Sequence, residues 1–132
     1  MLIDAMGAAL ATRGAVYVIH HVVFGEVVKA KYCVLMEDYV EGAETLIVAF
    51  TSSRLEFSYR RSTVTIPNST IKGLDGDSLL DCNNYMEVEA VKLIGSKGIN
   101  YLGHLHGDLI ELIDEALEYV TVDEHVFLRM IG

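Results

Sequence analysis

Three arginines, two pairs of histidines and a run of hydroxyl residues are the side chains of this 132-residue chain whose spacing could do chemistry. Arg54, Arg60 and Arg61 follow closely on Thr51-Ser52-Ser53. A guanidinium offers parallel N–H donors that match phosphate oxygens, so this cluster is a candidate phosphate-contacting surface. The bland alternative is a solvated edge that discourages edge-to-edge pairing of strands. A Thr-Ser-Ser run also satisfies turns at strand ends. His20 and His21 are adjacent, so in a strand they point to opposite faces and cannot share one ion. His104 and His106 would lie on one face if extended, and Asp108 continues the series as a third zinc or manganese ligand. Asp108 is also placed to cap a helix, and no further ligand cluster follows, so no metal site is assigned.

Other reactive patterns are missing. Cys33 and Cys82 are the only cysteines, both among apolar neighbours and without a CxxC pair, as expected of buried, reduced thiols. Gly95-Ser-Lys-Gly98 has neither Walker nor Rossmann spacing, and no cofactor is implied. The chain has 19 Asp plus Glu against 10 Lys plus Arg, a formal charge of −9. Proteins that bind nucleic acid through many phosphates usually present a basic face, so sequence-specific DNA binding is not expected and RNA would need a local basic groove. Apolar residues make up 52% of the chain, which argues against disorder. No apolar stretch reaches the roughly 20 residues that span a bilayer, and Asp4 precedes the first basic residue. The expectation is a soluble cytoplasmic protein with no membrane partner.

The elements that must position these groups read as many short strands and one strong helix, in a single domain over residues 1–132. Residues 1–12 form an arm that is a short helix or loose. Val16 to Phe24, Val34 to Met36, Thr45 to Phe50 and Thr63 to Ile66 read as strands, the last ended by Pro67. Arg54 to Thr65 alternates weakly, with Leu55, Phe57 and Tyr59 on one face, as a half-exposed strand would. Lys72 to Asp77 is a turn, and Ser78 to Cys82 and Tyr85 to Ile94 suggest two further strands. Leu109, Leu112, Ile113, Ala116, Leu117 and Val120 repeat at helical spacing, predicting a helix over 109–119 with Asp108 at its cap and an apolar stripe buried. The tail, residues 121–132, carries enough apolar character for a short strand or docked segment.

Three segments stand in a telling order: Arg13-Gly-Ala-Val-Tyr-Val, then Lys31-Tyr-Cys-Val-Leu-Met, then Leu46-Ile-Val-Ala-Phe-Thr-Ser-Ser53. Gly73-Leu-Asp-Gly-Asp-Ser-Leu-Leu and Lys92-Leu-Ile followed by Leu102-Gly-His-Leu come after them. Together, over Arg13 to Tyr119, they resemble the MazF/PemK family of small toxins. The resemblance implies a mainly β, α+β fold: a small bent antiparallel SH3-like barrel with an amphipathic C-terminal helix, core about 13–120. It also implies a homodimer, an antitoxin peptide or protein as partner, and metal-independent cleavage of single-stranded RNA.

On that resemblance the catalytic positions fall on Lys31, Thr51 and Glu26, with Arg54, Arg60, Arg61, Ser52 and Ser53 contacting RNA. The match is imperfect. In Gly25-Glu26-Val-Val-Lys29-Ala-Lys31-Tyr32 the family's catalytic arginine has become Lys31 and its proline Tyr32. Lysine keeps the charge but not the two-pronged donor. Lys31 and Thr51 are expected to face one groove. Two other functions compete with a weakened endoribonuclease: a non-catalytic barrel that binds a peptide or protein, as the related CcdB toxins do, and a small metal enzyme built on His104 and His106. The acidic charge and Lys31 favour the binding module, while retained Thr51 favours the nuclease.

Overall fold

The computed structural model describes residues 3–19, 30–71 and 76–132. In chain order the elements are helix α1 (Ala5–Leu10), strands β1 (Ala15–Ile19), β2 (Lys31–Leu35), β3 (Thr45–Ser52), β4 (Thr63–Ile66) and β5 (Ser78–Glu89), helix α2 (Ala90–Gly95), strand β6 (Ile99–His104), and helices α3 (Gly107–Ala116) and α4 (Glu124–Ile131). The strands form one antiparallel sheet in the order β4-β5-β3-β2-β1-β6, curled into a half-barrel. The expected mainly β, α+β class is therefore what the chain adopts.

Alternation in the central strands sends side chains to two cores. Val34, Ile47 and Ala49 join Ile113, Ala116, Leu117, Val126 and Met130 on the face covered by α3 and α4. Cys33, Leu35, Val48 and Phe50 join Tyr17, Ala90 and Leu93 on the other face. A sheet buried on both faces reads as continuous apolar runs, and Leu46 to Phe50 is one. The two thiols lie in different cores, both are free, and burial pushes each up to about 12.

Several expectations are corrected. Arg54 to Thr65 is not a strand up to Ser62: a 3-10 turn at Leu55–Phe57 and further turns precede β4. Local hydrogen bonds win there, beginning with the Arg54 N–H to Ser52 Oγ at 3.1 Å, because Leu55 and Tyr59 find no face to bury. Ser78 to Glu89 is one strand, not two. Opposite Phe50 it bulges, since Ala49 pairs with Tyr85 and Thr51 with Leu80. Residues 90–95 then turn helical, burying Ala90 and Leu93 at i, i+3 spacing. The helix cap is His106 and not Asp108, which lies in the first turn of α3 where its charge suits the helix dipole. Leu112 is 45% exposed while Leu117 is 2% exposed. At about 100° per residue Leu112 falls to the flank of the stripe centred on Ile113. The arm contains α1, capped by Asp4 Oδ1 accepting the Gly7 N–H at 2.7 Å. The tail docks as α4, not as a strand.

The Arg13-Gly14 segment has a structural explanation. The Arg13 guanidinium meets Asp114 of α3 at 2.6 Å, and the Arg13 backbone N–H donates to Asp38 Oδ1 at 2.7 Å. Gly14 has φ +94°, and a Cβ there would lie 2.5 Å from Ile110. Only glycine fits that approach. The expectations for His20, His21, residues 20–24 and Glu26, and for residues 72–75 of the turn, lie outside the described residues.

Candidate nucleic-acid interface

The site is built where β3 leaves the sheet. Thr51 pairs with Leu80 and Ser52 with Leu79 of β5, so the strand end is held on one side. On the other side the Thr51 hydroxyl donates to the Tyr32 carbonyl of β2 at 3.2 Å. The β2–β3 register runs Leu35 to Val48, Val34 to Ala49 and Cys33 to Phe50. Continued by two residues, it brings Lys31 to the same end of the sheet as Ser52. Lys31, Thr51, Ser52, Ser53 and Arg54 therefore converge on one rim.

Alternation separates two of them. The Lys31 ammonium sits 5.9 Å from the centroid of the Phe50 ring, on the Cys33 face. Thr51 shares the opposite face with its partner Leu80. The single groove expected for both is not formed by these strands, because positions of opposite parity point apart. The Thr51 hydroxyl is, in addition, already engaged in tying β3 to β2.

Beyond Ser53 the chain folds into a tight basic and aromatic loop. The Leu55 N–H donates to the Ser53 carbonyl at 3.0 Å and the Phe57 N–H to the Arg54 carbonyl at 3.2 Å. Thr63 closes the loop, its hydroxyl donating to the Arg60 carbonyl at 2.6 Å. Two guanidiniums lie against the Phe57 ring, Arg60 at 4.4 Å and Arg54 at 5.1 Å from its centroid. Arg60 also lies 5.9 Å from the ring centroid of Tyr59, a residue 74% exposed. Arg61 packs 5.2 Å from the Tyr119 ring and donates to its hydroxyl at 3.2 Å. Arg54 is paired with Glu56 at 3.2 Å. A backbone hydrogen bond, and then Arg54, hold that carboxyl below its ordinary range. Arg60 and Arg61 meet no carboxylate among the described residues. Such a surface can stack a base on exposed Tyr59 and neutralise phosphate with two guanidiniums that meet no carboxylate among the described residues.

The three arginines thus lie in one loop, not in the half-exposed strand expected for them, directly after Thr51 and Ser52 of β3, while Lys31 approaches the rim from β2. The histidine pair resolves differently. His104 Nε2 lies 2.6 Å from Thr12 Oγ1, and Nδ1 lies 2.6 Å from the Tyr101 hydroxyl. Both ring nitrogens are taken, and among the described residues no three His, Cys, Asp or Glu side chains come together as a metal site. The ring tethers the segment after α1 to β6, with Tyr101 also edge-on to Tyr17. Burial, then Cys33 and Tyr101, push the Tyr17 hydroxyl up to about 12. The Thr12–His104–Tyr101 tether was not legible in the sequence, because Thr12 lies 92 positions from His104.

A second polar cluster was also missed. Arg129 of α4 donates to Glu37 at 2.7 Å, to Glu87 at 2.7 Å and to the Thr45 carbonyl at 3.2 Å. Glu37 in turn accepts the Ile47 N–H at 2.8 Å. This cluster locks α4 onto the start of β3 and commits Nε and both terminal nitrogens of the guanidinium to protein acceptors.

No helix of the described residues is long and apolar enough to cross a membrane. No protein-family model matches the chain, and no curated protein does. Among solved structures the fold is similar to that of an endoribonuclease in complex with its cognate antitoxin from a mycobacterial species, with a TM-score of 0.57 at 15% identity over 80% of this chain and 88% of that one. The half-barrel with its appended helices is therefore a fold that a toxin endoribonuclease also uses.

Proposed function

We propose that this chain is a MazF/PemK-like toxin-fold protein of a toxin–antitoxin pair that binds single-stranded RNA at the loop following β3. The observation that carries the reading is the pair of guanidiniums, Arg60 and Arg61, held against aromatic rings without carboxylate partners in a chain of charge −9. A net acidic protein that leaves two such cations unpaired on one loop has kept them for an anion. The similar solved structure, an endoribonuclease held by its antitoxin, supports the same class.

In this reading cleavage is metal-independent and weak. The ribose 2′-oxygen attacks the adjacent phosphorus, the bond to the 5′-oxygen breaks, and the proton lost from the 2′-hydroxyl is balanced by one taken up on the leaving oxygen. Lys31 stabilises charge on the phosphate as a point cation, and Glu26 is the carboxylate assigned to proton transfer. Thr51 acts as a positioning residue that ties the β2 end carrying Lys31 to β3. Homodimerisation in the cytoplasm belongs to the same reading.

The test uses labelled single-stranded RNA with EDTA at low salt. Binding by anisotropy should weaken at least tenfold in the double variant Arg60→Ala, Arg61→Ala. Lys31→Arg should raise cleavage, and Thr51→Ser should keep what Thr51→Ala loses. If wild type binds no RNA and neither it nor Lys31→Arg cuts, the partner-binding reading replaces this one.

A further inference from the structure

The outer edge of β4 carries an interaction surface that shares Arg61 with the RNA loop but is otherwise built from β4 and the helix beside it. The Cys82 N–H donates to the Ser62 carbonyl at 3.0 Å. In an antiparallel ladder the hydrogen-bonded pairs recur every second residue, so Val64 with Leu80 and Ile66 with Ser78 continue the series. Thr63 and Thr65 then turn their backbone groups away from β5. The Thr63 N–H is used by the preceding turn, donating to Arg60 at 3.1 Å. Among the described residues β4 ends the sheet, so the Thr63 carbonyl and both backbone groups of Thr65 remain on the edge. Pro67 then closes the usable stretch.

This edge is the floor of a groove of about 430 Å³ whose other wall is α3 and the 3-10 turn Leu117–Tyr119 that follows it. Leu112 and Tyr119, each 45% exposed, give that wall an apolar face, with Glu115 between them. Arg61, without a carboxylate among the described residues, lies at the groove as well. A free strand edge beside apolar wall residues is how extended peptides are held: backbone bonds supply affinity and alternate side chains supply choice.

We propose that an extended peptide of a partner protein adds to β4 as a further strand. It sets an apolar side chain against Leu112 and Tyr119, a carboxylate against Arg61 and a cationic side chain against Glu115. The charge pattern of the groove selects this occupant. A second copy of the chain fits less well: strands pair about 4.8 Å apart, and its own helix of roughly 10 Å diameter would arrive beside its β4.

The experiment selects a phage-displayed library of twelve-residue linear peptides on the full chain, then measures synthetic labelled winners by anisotropy. Thr65→Pro removes the outward N–H while leaving the ladder to β5 intact, so its fold should be kept and peptide affinity should fall at least tenfold. Arg61→Glu should weaken binding similarly, and exchanging the peptide's acidic residue for lysine should restore it. Leu112→Lys, at an exposed site, provides the same readout if Thr65→Pro does not fold. The proposal is overturned if no peptide enriches, if winners bind these variants as tightly as wild type, or if wild type forms a dimer that Thr65→Pro abolishes. RNA binding should be unchanged in Thr65→Pro, so loss of the RNA reading and loss of this one are separate results.

Discussion

Arginines from outside strand β3 serve its two ends, one from α4 at its start and two from the loop after its finish, and they are used in opposite ways. At its start Arg129 is enclosed by Glu37, Glu87 and Thr45, with its side chain 29% exposed. At its finish, roughly 23 Å away by strand rise, Arg60 and Arg61 lie on aromatic rings in the open loop. The first end is structure: a cation whose donors are consumed by carboxylates pins α4 to the sheet. The second is surface: a guanidinium over a ring has its orientation restrained but its in-plane donors still available to an anion. Exposure and partner, more than residue type, separate a clamp from a binding group.

The largest effect should come from the core beneath both ends. Leu117→Ala removes a fully buried side chain and should cost about 2–5 kcal/mol, whereas Leu112→Ala, on the exposed flank of α3, should cost under about 1 kcal/mol. Urea denaturation checks both, and equal costs would contradict the placement of α3. Next, Arg129→Ala strands the largely enclosed Glu37 carboxylate and should cost about 2–4 kcal/mol, reduced from a fully buried pair by partial exposure. It should leave RNA binding where it was.

At the other end the pattern reverses. Arg60→Ala with Arg61→Ala should change stability by less than about 1 kcal/mol while removing RNA affinity. A variant pair that shifts the melting temperature as Arg129→Ala does would erase the distinction between clamp and surface.

The smallest effect is a pH dependence at the clamp. The Thr45 hydroxyl and then Arg129 hold the Glu87 carboxyl below its ordinary value of 4.5. A carboxylate depressed in the folded state contributes stability that is present above the unfolded pKa and is lost as pH falls through the folded one. The melting temperature should therefore decline below about pH 4.5, and Glu87→Gln should make that decline shallower. An unchanged acid limb in Glu87→Gln would place the loss on other carboxylates.

What the sequence determined by itself is local and periodic. The apolar run from Leu46 to Phe50 dictates a strand buried on both faces, and Ile113, Ala116 and Leu117 dictate a helix with one apolar side, since burial must follow the repeat of the backbone. The arginine loop was visible as a cluster because its members are close in the chain. Tertiary structure decided the rest. Tyr85 to Glu89 continues one strand from Ser78 only because β5 bulges against Phe50. The tail is helical because Val126 and Met130 find the core under α3, a reason no local window contains. Leu112 lost its place in the stripe to geometry of a few tens of degrees, and Lys31 was parted from Thr51 by strand parity. Which arginine is clamped and which is free depends on partners such as Glu37, 92 positions from Arg129. Charge in a sequence is a property of residues, but its availability is a property of the neighbours that folding supplies.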